Sequence, residues 1–258
     1  MTNLRGKRAI VLGAGGTDNM GQHIARSLAK GGAQVVVAGR SREPLAALAA
    51  EIGGSAAICD ITRKAEVDAL FDAHAPNIVV NATGWGLLRP IDQVTDAELD
   101  EITALQFKGV HHMLAACVRT MTAGGSIVQV SSATTHALID DHAAYIGTKA
   151  GSEALIRCVA NQYGAQAIRA NIVSPGLTAS PMTAGAMATP GLEAAFAKRY
   201  PLGRIGTSDD IAAAVLWLCD DRCFMTGQTL QVNGGLTLRG NPRPEEVAAS
   251  VQAALAAA

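Results

Sequence analysis

Apolar residues recur along the chain in short uninterrupted runs at Ala9 to Leu12, Val35 to Ala38, Ala56 to Cys59, Ile78 to Val80, Ile127 to Val130 and Ile168 to Val173. Longer segments of helical period separate them. A run that is apolar at every position, rather than at every second one, predicts a strand covered on both faces. Strands of this kind alternating with helices predict a parallel sheet wrapped by helices, and a short strand at Thr229 to Val232 would complete it. Between Gly176 and Pro201 the periodicity weakens and Ala, Gly, Thr, Met and Pro accumulate, which predicts a mobile helix-loop lid near residues 177–200. The run Asn241-Pro-Arg-Pro-Glu-Glu predicts a turn and a proline-started helix in 241–258, docked or frayed, after a main domain spanning 1–240.

Composition narrows the class. The chain has 258 residues and 49% hydrophobic content, enough for one large α/β domain with a substantial core. Its 21 basic and 22 acidic residues nearly balance, so no electrostatic excess favours a nucleic acid or an anionic membrane. The expected partner is a small molecule. The polar residues after Met1 lead into Arg8-Ala-Ile-Val-Leu12 without a secretory pattern, and no apolar run reaches membrane-spanning length, so a cytoplasmic, unprocessed protein is expected. Of the five cysteines only Cys219 and Cys223 are close in sequence, without flanking histidines. Buried, reduced thiols and no metal site are expected.

Two segments carry candidate chemistry. A strand ending at Gly13 runs through Gly15, Asn19 and Met20 to Gly21 and a helix start, an arrangement that brings backbone N–H groups to a pyrophosphate. The next strand ends at Gly39-Arg40, where an acidic residue would hold the adenosine ribose of NAD. A guanidinium there suits the extra phosphate of NADP, so NADP(H) is expected over NAD(H). Further along, Ser131 and Ser132 close a strand, and Tyr145-Ile-Gly-Thr-Lys149 opens a helix. Tyr and Lys four apart share a helical face, and an ammonium near a phenol lowers its pKa toward the range a general acid/base needs.

With these motifs the chain resembles the short-chain dehydrogenase/reductase family nearly end to end. Asp60-Ile61 is similar to the family's adenine-contacting pair, and Asn81-Ala82-Thr83-Gly84 to its Asn-Asn-Ala-Gly strand end. Asn171-Ile-Val-Ser-Pro175-Gly176 is similar to the segment before the nicotinamide contacts, and Pro201 to Gly206, Thr226 to Gln228 and Asn233 to Gly235 to the C-terminal third. The resemblance implies a single doubly wound Rossmann domain with a seven-stranded parallel sheet flanked by helices, and a homotetramer or dimer. It also implies a Ser-Tyr-Lys centre. Tyr145 would exchange the proton with a carbonyl or alcohol oxygen, Ser132 would hydrogen-bond that oxygen, and Lys149 would tune Tyr145 and hold the nicotinamide ribose. Thr178 and Ser180 fall where the family contacts the carboxamide.

The chain departs from the family pattern in two places. The glycine turn carries a two-residue insertion, with Asn19 aligned to the middle glycine, a substitution made feasible by the tolerance of asparagine for left-handed backbone. A stretched loop is also a feature of divergent enoyl-carrier-protein reductases, but their Tyr-to-Lys spacing is wider. In Leu105-Gln106-Phe-Lys-Gly109, Gln106 replaces the asparagine that helps hold a water in the proton relay. Trp85, His136 and His142 are expected to face substrate, and Met182 and Met187 to line an adaptable apolar cavity. His111 and His112 are expected in the core or an interface, and Asp140 and Asp141 in a solvated loop. The leading expectation is an NADP(H)-dependent ketone reductase or alcohol dehydrogenase. The alternatives are a 3-oxoacyl-carrier-protein reductase and a non-catalytic nicotinamide-dinucleotide-binding sensor.

Overall fold

The structure, a computed structural model, describes residues 2–257, so Met1 and Ala258 lie outside it. The first half alternates β1 (Arg8–Leu12), α1 (Met20–Lys30), β2 (Gln34–Gly39), α2 (Arg42–Ile52), β3 (Ser55–Ile58), α3 (Lys64–His74) and β4 (Ile78–Asn81). There follow α4 (Asp96–Thr103), a π-helical turn (Ala104–Lys108), α5 (Gly109–Thr120), β5 (Gly125–Val130), α6 (Ala143–Tyr163) and β6 (Ile168–Pro175). The last third holds β7 (Thr178–Ala179), α7 (Ala184–Met187), α8 (Leu192–Ala197), β8 (Gly206–Thr207), α9 (Ser208–Leu218), β9 (Thr229–Val232), α10 (Leu236–Arg239) and α11 (Pro244–Ala256).

Seven strands form one parallel sheet in the order β3-β2-β1-β4-β5-β6-β9. The strand sequences explain both covered faces. Ala9 and Val11 join the core under α1, α2 and α9, while Ile10 and Leu12 join the core under α3, α5 and α6. Val35 and Val37 part from Val36 and Ala38 in the same way. Side chains alternate faces along a strand, so an unbroken apolar run supplies both cores. The exception is β3, an edge strand in which Ile58 is 44% exposed.

The predicted strands are found, longer by a residue or two at about half of their ends, with β3 ending one residue early at Ile58. The lid differs from expectation in one respect: the segment after β6 is tied to the body by the β7–β8 pair, which the weak periodicity concealed. Helix α11 packs along α8, where Ser250 Oγ donates to the Gly191 carbonyl at 2.8 Å and Arg199 pairs with Glu246. Asn241 Nδ2 donates to the Ala137 carbonyl at 2.6 Å, fastening the start of this segment to the loop after β5. Cys158 is exposed on α6, contrary to the expectation of buried thiols, and the other four cysteines are buried. Neither His111, exposed, nor His112, half-buried with Nδ1 3.4 Å from the Ile61 carbonyl, belongs to the core.

Candidate active site

Because all seven strands run in one direction, the loops after β1, β2, β3, β4, β5 and β6 emerge along a single edge of the sheet. The order reverses between β1 and β4, which opens a crevice there. The candidate residues lie on these loops, at the strand ends that feed them or at the start of α6, except Gln106 in the π-helical turn.

The loop after β1 is shaped by close backbone approach. Gly13 has φ +90°, and a Cβ on it would stand 2.6 Å from the Ala82 carbonyl carbon. Gly15 packs beside Arg40 and Ser41. Asn19 caps α1, its side chain accepting from the Gln22 N–H at 3.0 Å and donating to the Gly13 carbonyl at 2.8 Å. Its φ is −82°, so the expected left-handed asparagine is not what the insertion needs. Asp18 takes that conformation instead, at φ +52°. An N-cap residue requires extended backbone, which shifts the left-handed position one residue earlier. Met20 opens α1 and packs against the core. His23, unremarked in the sequence, bridges Asp18 Oδ1 at 2.9 Å and Asp209 Oδ1 at 2.7 Å, tying the loop to α9.

Arg40 and Arg42 are exposed and, among the described residues, have no ion-pair partner. They flank Ser41, the N-cap of α2, whose side chain makes no capping bond. Asp60 accepts from the Thr62 N–H and hydroxyl at 2.9 and 2.8 Å. Burial raises the Asp60 pKa, but the Thr62 hydrogen bonds and then the Arg40 charge outweigh it, leaving the carboxyl below its usual range. The Ile61 side chain is buried in the core, so its backbone is the part that remains available to a ligand.

Asn81 is fully buried, donating to Gln129 Oε1 at 2.9 Å and accepting from the Thr83 N–H and hydroxyl. Ala82 backs onto the β1 core, and Gly84 borders the Lys149 ammonium. Beyond β6, Pro175 is buried, and a Cβ on Gly176 would meet Tyr200 Oη at 2.3 Å. Tyr200 is thus a buried prop for the segment carrying Thr178 and Ser180, and burial pushes its phenol up to about 12. Thr178 Oγ1 donates to the Gly176 carbonyl at 2.9 Å, and Ser180 Oγ lies 3.2 Å from Thr183 Oγ1.

Ser132, Tyr145 and Lys149 converge at the start of α6. Ser132 Oγ accepts from the Thr134 N–H at 3.2 Å and its hydroxyl at 2.9 Å, which leaves the serine hydrogen free to donate outward. Tyr145 lies beside that hydroxyl. Burial pushes its phenol up and the Ser132 hydrogen bond opposes this, so the phenol is raised, not lowered as the helical spacing predicted. The reason is where the lysine points. Lys149 Nζ is 5.7 Å from the Tyr145 ring centroid and donates to the carbonyls of Val130 at 3.0 Å and Thr83 at 3.4 Å. Burial pulls the Lys149 ammonium down to about 8, opposed by the charge of Glu153.

Gln106 sits in the π-helical turn, buried, with Nε2 donating to the Trp85 carbonyl at 2.9 Å and Oε1 buried without a partner. The His142 ring stacks on Tyr145 at 4.2 Å between centroids, its Nδ1 buried and unpartnered. Burial lowers the His142 pKa against a hydrogen bond to the Leu87 backbone, favouring the neutral ring. His136 is exposed and bonded to Thr135, and Asp140 and Asp141 are exposed as expected. Met182 is 67% exposed, with its sulfur 3.9 Å from where a Gly86 Cβ would stand, so it reaches across from the lid. Met187 packs against a small core with Phe196 and Tyr200.

The glycine loop, the crevice and the unpaired Arg40 and Arg42 together fit a dinucleotide. The pyrophosphate would meet the loop and the start of α1.

Comparison with known proteins agrees. Residues 13–237 match a family model described as Enoyl-(Acyl carrier protein) reductase. The chain is 33% identical over 239 residues to D-erythrulose reductase of Gallus gallus, covering 90% of this chain and 96% of that one. A short-chain type dehydrogenase/reductase from Mycobacterium ulcerans superposes with TM-score 0.88 at 29% identity, covering 93% of each chain. A gluconate 5-dehydrogenase from Burkholderia cenocepacia, solved in complex with NADP and tartrate, superposes with TM-score 0.86 at 28% identity, covering 92% of this chain and 97% of that one.

Proposed function

Since the chain belongs to the short-chain dehydrogenase/reductase family, and so to the nicotinamide-dependent oxidoreductases, we propose that it interconverts a small polyhydroxylated ketone and its alcohol with NADP(H). The observation that carries this reading is the meeting of Ser132, Tyr145 and Lys149 beside the crevice at the strand ends.

The bound nicotinamide supplies or accepts the hydride. The protein's own part is to hold the carbonyl oxygen and move a proton. Ser132, its lone pairs occupied by Thr134, donates a hydrogen bond to that oxygen. Tyr145, raised by burial and therefore protonated at neutral pH, is a ready acid toward an oxygen that becomes basic during reduction. Lys149 gives hydrogens to the Thr83 and Val130 carbonyls and has a third for the nicotinamide ribose. Gln106 offers its buried, unpartnered Oε1 as an acceptor in a proton relay from Lys149. The fit of Arg40 and Arg42 to a phosphate supports NADP(H) over NAD(H). The names of the two relatives, a reductase of a four-carbon ketose and a dehydrogenase of a sugar acid, support a hydroxylated substrate.

The test is to titrate NADPH and NADH onto the purified protein and then follow NADPH consumption with erythrulose, xylulose, 5-ketogluconate, an unsubstituted ketone and an acetoacetyl thioester. Turnover of the hydroxylated ketones is expected. Preference for the thioester would move the assignment to a 3-oxoacyl-carrier-protein reductase, and cofactor binding without any turnover would favour a sensor.

A further inference from the structure

Glu153 lies on the face of α6 that carries Tyr145 and Lys149, the three residues spaced four apart. It is 2% exposed. A carboxylate so deep must have its lone pairs occupied. Ser131 Oγ donates to Oε1 at 2.6 Å, Thr135 Oγ1 is 3.0 Å from the same oxygen, and Arg157 Nη2 donates to Oε2 at 2.8 Å. The first two donors bracket Ser132. Ser131 is anchored on its other side by its N–H to the Val173 carbonyl at 2.8 Å, and the Thr135 N–H closes the turn onto the Ser132 carbonyl at 3.2 Å. One carboxylate therefore grips both ends of the turn that presents Ser132 Oγ.

The same carboxylate lies one helical turn beyond Lys149. The partners that Lys149 meets from β5 and from the loop after β4 are neutral carbonyls, those of Val130 and Thr83. On α6 itself the neighbours of Lys149 are Tyr145 and Glu153, with Arg157 beyond, paired to the far oxygen of Glu153 and 46% exposed. Glu153 is thus the nearby anion that opposes loss of the lysine proton.

We propose that Glu153 is a positioning residue for the reaction centre, pinning Ser131 and Thr135 on either side of Ser132 and holding the Lys149 ammonium by its negative charge. Its effect on turnover rests on the carbonyl-reductase reading, whereas its effect on Lys149 is measurable in the protein alone.

The experiment titrates the Lys149 side-chain resonance, assigned with Lys149→Met, in the unaltered protein and in Glu153→Gln, which keeps an acceptor for Ser131 and removes the charge. The Lys149 midpoint is expected to fall by roughly half a pH unit or more. The alkaline limb of kcat/KM should move the same way, with partial recovery in Glu153→Asp. Superimposable Lys149 titrations would overturn the charge role. Ser131→Ala and Thr135→Ala remove the donors and keep the charge, so they test the clamp even where a Glu153 variant does not fold. Each is expected to lower kcat about tenfold with little change in KM or in the Lys149 titration, and unchanged kcat in both would overturn it. If the unaltered protein reduces no carbonyl, the functional reading falls while the Lys149 titration still decides the role of Glu153.

Discussion

At the scale of single residues, the site works through hydrogen-bond direction. In the proposed reaction Ser132 serves as a donor because Thr134 occupies its lone pairs, and Tyr145 as an acid because burial keeps its proton on. Tyr145→Phe removes that proton and keeps the ring against His142. The expected outcome is a loss of about 10²–10⁴-fold in kcat with an almost unchanged NADPH dissociation constant, read by steady-state kinetics and fluorescence titration. In the same proposal Lys149 sets the alkaline side. It is drawn down to about 8, so it is cationic below that pH and neutral above it. Reduction should therefore fall as pH rises through about 8, and a log kcat/KM profile that stays level well beyond this would contradict a need for the ammonium. Arg40 makes no ion pair among the described residues, its charge reaching Asp60 only at longer range, and in the proposed function its guanidinium takes a phosphate. In Arg40→Ala the NADPH affinity should drop about 10- to 100-fold and the NADH affinity hardly at all, and equal losses would remove its assigned role.

At the scale of elements, the cofactor loop owes its shape to backbone contact, with side chains securing it. Gly13 presses on the Ala82–Thr83 peptide at a left-handed φ, and Asn19 ties the helix start back to the Gly13 carbonyl. Gly13→Ala combines backbone strain with a clash against main chain that cannot rotate away. It is expected to cost about 2–4 kcal/mol of stability and to abolish cofactor binding, measurable by thermal melts and NADPH titration. The glycine-rich turn was visible in the sequence as a loop between strand and helix. The left-handed Asp18 and the His23 bridge to Asp209 were not, because the first depends on where the helix cap falls and the second on a contact across 186 positions. Gln106 shows the same division. Its standing at the family's asparagine position was legible by resemblance, but the π-helical turn that buries it, with Nε2 on the Trp85 carbonyl, was not.

At the scale of the whole molecule, the parallel sheet gathers six loops along one edge, and the segment after β6 carries α8, across which α11 is strapped. Deleting residues 241–257 would free the Gly191 carbonyl from Ser250 and the Ala137 carbonyl from Asn241. KM for the ketone is then expected to rise several-fold more than kcat changes, because the strap holds the lid and touches none of the reacting groups. Equal kinetic constants in the shortened chain would show that the strap has no part in closing the site.

What the sequence by itself determined are features that are periodic or local. These are the alternation of two-faced strands with helices, the strand-turn-helix at Gly13, the arginine after β2, and the Tyr-Lys pair on one helical turn. The Glu153 position was equally readable, since Tyr145, Lys149 and Glu153 continue that four-residue spacing, but nothing in the spacing says that the third residue is buried. Tertiary structure alone decided the rest: that Lys149 turns to the Val130 and Thr83 carbonyls while burial raises Tyr145, that Tyr200 props Gly176, and that Glu153 grips both sides of Ser132. Periodicity reports which side of an element faces inward. Desolvation and hydrogen-bond direction depend on atoms brought together from distant parts of the chain, and these set the proton affinities on which the chemistry runs.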